Sequence, residues 1–493
     1  MSRRHPKDLV LPALHVTDAA ARGKSVAHAQ DGRAVLIEGA VPGDTVDVRV
    51  TKKNSRYYEG RAENILEYSD KRADPPCPHF GVCGGCRWQN MQYSWQLHYK
   101  QQEVENSLRR IGGLELPPVS PILGCQEPYF YRNKLEFSFA DRRWYTREEL
   151  EAAGEIEAYE PALGFHIQGR WDKVLDVKRC LLQPDPSNAI RDEIRRYAIE
   201  HGLEFYNPRT NEGLLRTIMI RISATTGETM LLVQFGREDA AAREALLDHL
   251  REKFPQITSL LYAINEKVND SVYDLDIRTY SGSDHIVEHM EDLRFRIGPK
   301  SFFQTNSRQA LRLYSVVRDF AGLRGDETVY DLYTGTGTIS QFISRRAARV
   351  IGVEAVPEAI DAARENAERN GIRNCTYLVG DMKDVFDEAF VARYGHPQVV
   401  ITDPPRDGMH KDVVARLLRL AAPRIVYVSC NPATQARDLA LLDPLYRVEK
   451  IQPVDMFPQT FHVENVVLLS RRATPKPGAD PAGEPIKEND DER

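Results

Sequence analysis

No apolar run in this chain approaches the roughly 18 residues that a membrane-spanning helix needs. The amino terminus, MSRRHPKDLV, is charged from the start, so the expectation is a cytoplasmic protein that does not span a membrane. Positive charge is not in excess either. The 66 Lys and Arg residues are outnumbered by 72 Asp and Glu, which excludes a protein that grips nucleic acid through bulk charge; any such site must be local. Cysteine is scarce: seven residues, at 77, 83, 86, 125, 180, 375 and 430. An odd number in a chain of this kind excludes a disulfide framework and leaves metal binding or covalent chemistry.

What is present suffices for two or three globular domains, since 42% of the 493 residues are apolar. Residues 5–70 alternate apolar and polar positions in short runs (AVLIEGA, TVDVRV, EGRAENILEY) broken by Asp31-Gly32 and Pro42-Gly43-Asp44, the pattern of a small β-barrel. Lys52, Lys53 and Arg56 stand beside Tyr57 and Tyr58 there, mixing phosphate-seeking charge with stacking faces, or else forming a solvated edge strand. Residues 71–300 hold the clustered cysteines, a polar helical stretch closing on Gly112-Gly113, and strands such as KLEFSFA, TIMIRIS and MLLVQF, an α+β pattern. The acidic stretch TREELEAAGEIEAYE within it (146–160) receives no function.

From residue 301 the rhythm becomes strand, loop, helix, through ETVYDLY, RVIGVE, CTYLVG, QVVITDPP and RIVYVSC. Such alternation specifies an α/β domain with a doubly wound, mostly parallel sheet. YRVEKIQPV and HVENVVLLS follow each other with no helix between, so they are expected to pair as an antiparallel hairpin at the sheet edge. From Ala473 a Pro-rich tail (473–493) lacks the apolar content to fold.

Gly335 and Gly337 lie in DLYTGTGTIS between a strand and a helix, with Glu354 at the end of the next strand and Asp381 and Asp403 ending two more. Glycine permits close approach of backbone to ligand, and carboxylates ending parallel strands converge on the crevice at the carboxyl edge. Ser340 occupies the third position of the dinucleotide fingerprint, which weighs against NAD or FAD. A sulfonium with an adenosine tail suits the acidic rim better than a pyrophosphate.

Cys77, Cys83 and Cys86 form C-x5-C-x2-C in CPHFGVCGGC. A fourth thiolate is needed to close a tetrahedral or cubane site; Cys180 is the plausible supplier and Cys125 its competitor. Spacing leaves zinc and iron-sulfur both open. Cys430 ends RIVYVSC and opens the turn NPAT, at the same sheet edge as the carboxylates.

The set CPHFGVCGGC, FFQTN (302–306), DLYTGTGT (331–338), DPPR (403–406), SCNPAT (429–434) and HVEN (462–465) closely resembles that of the iron-sulfur RNA uracil-5-methyltransferases, especially the bacterial 23S ribosomal RNA enzymes. The resemblance runs from about residue 5 to 471. It implies a Rossmann-like class I methyltransferase domain over 301–472, an amino-terminal TRAM domain over 5–70 (an OB-like RNA-binding barrel) and a central iron-sulfur domain over 71–300. It further implies a 4Fe-4S centre on Cys77, Cys83, Cys86 and Cys180, and S-adenosylmethionine contacts at Gln304, Tyr333, Thr338, Glu354, Asp381 and Asp403. Tyr333 stands where the family more often has phenylalanine, and Thr338 where it often has asparagine. The nucleophile matches Cys430 and the proton acceptor Glu464.

Carbon 5 of uracil is too weak a nucleophile to take a methyl group directly, which is why a thiolate must first add at carbon 6. The uridine must leave any stack to present its face, so single-stranded or loop RNA is the expected target, 23S rRNA or tRNA. Arg132 and Lys134 are candidate phosphate contacts or exposed ion-pair partners. A monomer is expected. An amino-group methyltransferase is disfavoured because Arg406, not an aromatic residue, follows DPP, and a non-catalytic iron-sulfur RNA-binding or redox-sensing protein because it would need neither Cys430 nor Glu464.

Overall fold

A computed structural model describes residues 9–153, 160–385 and 387–476. The later part of the acidic stretch and most of the tail lie outside the described residues. Of the tail, residues 473–476 are described, and Lys476 pairs with Asp443 at 2.5 Å beside Arg472 at 3.0 Å.

The amino-terminal strands form one six-stranded sheet in the order Val10–His15, Thr45–Lys53, Tyr57–Glu67, Ala34–Glu38, Lys24–His28, Asp18–Ala20. Alternation of side chains across each strand sends Val35, Ile37, Val46 and Val48 to a common core. The expected turn at Gly43 is present, with φ +99°. Beside it the buried Asp44 carboxylate accepts two bonds of 2.8 Å from Arg72 and ties the barrel to the following segment. Tyr58 corrects the expectation of a stacking face: it is buried in the core, and its hydroxyl donates to Asp31 at 2.9 Å.

The central strands form a seven-stranded sheet ordered Arg278–Gly282, Ile257–Ile264, Thr229–Phe235, Leu215–Ile222, Lys134–Ala140, Ala162–His166, Val174–Asp176. Helices Ser187–Glu200 and Ala240–Lys253 cover one face through Ile190, Ile194, Leu246 and Leu250. The opposite face, with Met219, Met230, Leu232 and Leu261, packs into the same core as helix Ser307–Ala321 and the last sheet. Covered on both sides, Leu215–Ile222 and Thr229–Phe235 are buried throughout, which explains their nearly continuous apolar runs.

The last sheet has the order Cys375–Val379, Arg349–Glu354, Thr328–Leu332, Val399–Thr402, Arg424–Ser429, Glu464–Arg471, Tyr446–Val454. The first five strands are parallel, and Glu464–Arg471 runs antiparallel to both its neighbours, Arg424–Ser429 and Tyr446–Val454. The expected hairpin is there, and its second strand is the inner one, inserted beside Arg424–Ser429.

Helix Tyr93–Asn106, which follows the clustered cysteines, packs on this last sheet: Val104, Leu108 and Leu114 share a core with Tyr446, Ile451 and Leu439. Its Lys100 is fully buried in an ion pair with Asp455 at 2.6 Å, and Tyr93 donates to the other Asp455 oxygen at 2.7 Å. Among the described residues no helix is long and apolar enough to cross a membrane.

Candidate active site

The parallel strands end at one edge, and most of the singled-out residues gather there. After strand Thr328–Leu332 the chain turns through Tyr333 (φ 62°), Gly335 (φ 54°) and Gly337 (φ 71°) into helix Thr338–Ser344. The two glycines answer different demands. A Cβ on Gly337 would press on the Tyr377 hydroxyl at 2.8 Å and the Ala363 Cβ at 2.9 Å, whereas one on Gly335 would meet nothing within 4 Å. Gly335 therefore faces open space where a ligand can approach its backbone. Ser340 replaces the third glycine because its hydroxyl is used: it and Thr334 Oγ1 donate to the buried Asp331 at 2.5 and 2.6 Å. Burial pushes the Asp331 carboxyl up to about 6, and its second oxygen has no hydrogen-bond partner. Asp331 was not among the residues singled out from sequence, although it stands immediately before the glycine turn.

Glu354 Oε2 accepts from the Gly335 amide at 3.2 Å and Oε1 from the Val356 amide at 3.0 Å, so its carboxylate frames the glycine turn. Thr338 is buried in the first turn of its helix, 3.3 Å from the Thr336 hydroxyl. Asp381 lies further out. It accepts from the Lys383 amide at 3.1 Å and pairs with the Lys383 ammonium at 3.2 Å, and these contacts hold its carboxyl below the usual range; capping accounts for part of its presence. The Gln304 carbonyl accepts from Asn133 at 2.8 Å, and its side chain bonds the buried Tyr314 hydroxyl, which also faces Asp403, Asp331 and Glu464. Tyr314 carried no signal in sequence beyond that of a core aromatic on an amphipathic helix.

Strand pairing brings the expected nucleophile and proton acceptor near each other. Arg424–Ser429 pairs antiparallel with Glu464–Arg471, and the last pair is Ser429 opposite Asn465, so Cys430 follows that pair on one strand and Glu464 precedes it on the other, close enough for Glu464 to act on the thiol. Glu464 is buried, and burial together with Asp403 pushes its carboxyl well above the ordinary range. Burial and Asp331 push Asp403 up to about 7. Burial, then Glu464, push the Cys430 thiol up to about 11, with Arg406 pulling the other way. One proton-rich cluster of two acids and a thiol thus sits at the edge, poised to ionise when positive charge arrives.

Cys77, Cys83, Cys86 and Cys180 line one cavity of about 420 Å³ together with His79 and Arg132. The Lys178 amide donates to His79 Nε2 at 2.7 Å, pinning the two cysteine-bearing segments together, and Asn188 accepts from the Cys180 amide at 2.9 Å. Burial pushes the Cys83 thiol up to about 11 and Cys86 to about 12. Cys125 is elsewhere: its amide donates to Tyr93 at 2.6 Å and its thiol to the Glu127 carbonyl at 3.1 Å. Among the described residues no three His, Cys, Asp or Glu side chains surround a point that one metal ion would occupy. Lys134 pairs with Glu136 at 2.5 Å, the plainer of its two readings; Arg132 Nε is buried without a partner.

Residues 282–472 match the family model for tRNA (uracil-5-)-methyltransferases, and residues 14–62 match the TRAM domain. The chain is 53% identical to a protein of Bacteroides thetaiotaomicron described as an uncharacterized RNA methyltransferase, over 92% of this chain and all of that one. It is 52% identical to another of Porphyromonas gingivalis, over 93% and 99%. Among solved structures, it is similar to the Pyrococcus abyssi tRNA (uracil-54, C5)-methyltransferase in complex with S-adenosyl-L-homocysteine, with a TM-score of 0.72, 26% identity and coverage of 92% of this chain and 100% of that one. Full-length identity to RNA methyltransferases, a family model over the sheet that carries Cys430 and Glu464, and the shared fold agree: this chain belongs to the tRNA (uracil-5-)-methyltransferase family and is an S-adenosylmethionine-dependent RNA uracil-5-methyltransferase with a TRAM domain at its amino end.

Proposed function

We propose that the protein methylates carbon 5 of one uridine in 23S ribosomal RNA by covalent catalysis, with Cys430 as nucleophile and Glu464 as proton acceptor. The observation that supports the mechanism is that Cys430 and Glu464 flank the last pair of two neighbouring strands, Ser429 with Asn465, with Glu464 acting on the thiol and Asp403 on both. S-adenosylmethionine supplies the methyl group when bound. The acidic rim of Glu354, Asp381 and Asp403, with the open backbone at Gly335, suits its ribose and its positive charge, and Gln304, Tyr333 and Thr338 complete the proposed contacts.

The Cys430 thiolate forms a bond to carbon 6, and the π pair of the C5–C6 double bond moves to carbon 5 and O4. Carbon 5 then takes the methyl group, whose bond to the sulfonium sulfur breaks with the electron pair left on sulfur. Glu464 accepts the carbon 5 proton, the double bond reforms and the C6–sulfur bond breaks, freeing Cys430.

The four cavity cysteines fit a 4Fe-4S centre. They are soft thiolate donors around one cavity, the donor set that such a centre takes. Protein purified without oxygen should be brown, and Cys180→Ser should lose that colour while Cys125→Ser keeps it. A colourless preparation with stoichiometric zinc would contradict the cluster.

The TRAM domain supports RNA as substrate. A second reading, tRNA, is favoured by the Pyrococcus neighbour, whose named substrate is tRNA uracil 54. Mapping 5-methyluridine in 23S rRNA and tRNA from a strain lacking the gene decides between them. Loss of one 23S site bears out the proposal; loss from tRNA alone replaces it with the second reading.

A further inference from the structure

The mechanism leaves one demand unmet. Cys430 has to react as thiolate, yet the acids facing it, Glu464 and Asp403, both oppose negative charge on sulfur. Of the charged groups acting most strongly on Cys430, Arg406 alone favours the ionised form.

Arg406 is fixed at three points. Asn431, the residue after Cys430, donates its side-chain amide to the Arg406 carbonyl at 3.0 Å, and the Thr434 hydroxyl donates to the same carbonyl at 3.0 Å. These bonds fasten the DPPR loop to the turn that carries Cys430. At the far end Arg406 Nη2 lies 3.4 Å from His462 Nδ1. A guanidinium can only donate, so Nδ1 is the acceptor and His462 is neutral with its proton on Nε2. Burial and the cations Arg406, Lys100 and Arg132 hold His462 down to about 4, so this acceptor persists throughout the physiological range. His462 stands two residues before Glu464, with the intervening Val463 buried in the core.

We propose that Arg406 is a positioning residue for the nucleophile: fastened to the Cys430 turn by its backbone and to His462 by its side chain, its guanidinium offsets Glu464 and Asp403 and eases ionisation of the Cys430 thiol. The proposal rests on Cys430 being the nucleophile. The thiol gives its proton to solvent, and the sulfur lone pair so freed is the one that bonds carbon 6. The loop fastening keeps Arg406 beside the Cys430 turn before RNA arrives, so its charge is in place when the thiol ionises.

The test is the pH profile of Cys430 alkylation by iodoacetamide in the full-length protein without RNA, read by mass spectrometry of the peptide that contains Cys430. Arg406→Gln should raise the midpoint by about one pH unit or more, making alkylation ~10-fold slower at a fixed pH below both midpoints. Arg406→Lys should recover part of the shift because it restores charge, and His462→Ala, which frees the guanidinium, should give an intermediate one. An unchanged midpoint in Arg406→Gln overturns the proposal, and if RNA affinity falls at the same time the guanidinium serves a phosphate instead. Should Arg406→Gln fail to bind S-adenosylmethionine, the midpoint of His462→Ala decides by the same criterion. Failure of the nucleophile assignment is separate: Cys430→Ala would then methylate RNA, whatever the alkylation profile.

Discussion

Affinity for S-adenosylmethionine should depend on pH through Asp403. In the free protein, burial and Asp331 hold the Asp403 carboxyl up to about 7, so it is protonated below that pH and ionised above. The ligand carries a sulfonium and is best bound by the ionised form. Affinity therefore rises with pH through the free-protein value and levels off above it. If the bound cation keeps the carboxylate ionised across the range, the change between pH 8 and pH 5.5 amounts to about 2 kcal/mol, or ~30-fold in Kd. Asp331, held up to about 6, steepens the fall at the acid end. Isothermal titration at several pH values measures this, and titration in buffers of different ionisation enthalpy at pH 6.5 should reveal protons released on binding. S-Adenosylhomocysteine, which lacks the sulfonium charge, should show a much shallower profile, and Asp403→Asn should flatten the profile for both. A wild-type profile that is level from pH 5.5 to 8, or one equally steep for the two ligands, would refute the reasoning.

Two further outcomes follow from the packing and the barrel. Lys100→Ala leaves Asp455 buried without its cation and should destabilise the protein by about 3–5 kcal/mol, measured by urea denaturation, whereas the paired change Lys100→Met with Asp455→Leu should recover much of the loss. Lys52→Glu with Lys53→Glu, at exposed positions of the barrel, should weaken RNA binding and reduce its salt dependence while S-adenosylmethionine affinity stays unchanged; an unaltered salt slope would show that RNA binds elsewhere.

The carboxyl-edge site was legible because parallel strands bring their ends to one line, so acids closing successive strands must be neighbours. Glu354 and Asp403 show this directly. Asp381 also closes a strand, yet it spends two contacts on Lys383, a local cap that spacing does not distinguish from a ligand contact. Arg406 and His462 were not legible as a pair, because their meeting depends on Glu464–Arg471 inserting beside Arg424–Ser429. Adjacent strand residues face opposite sides, so Tyr57 and Tyr58 could not both offer stacking faces; the phase of the alternation, set by the barrel core, put Tyr58 inside. Helix Tyr93–Asn106 reads as polar because Gln96 and Lys100 are polar, and it is nevertheless buried against partners at Gln459 and Asp455. Contacts so distant in sequence leave no local trace.

The central claim is that Cys430 and Glu464 act at successive steps of one covalent reaction, and a denaturing gel of enzyme incubated with target RNA and S-adenosylmethionine tests it most directly. Glu464→Gln should add and methylate but fail to release product, giving a slow-migrating protein–RNA band that requires S-adenosylmethionine. Cys430→Ala should give neither band nor 5-methyluridine. Normal methylation by Cys430→Ala would contradict the account, as would the absence of any adduct in Glu464→Gln under conditions where the wild type turns over.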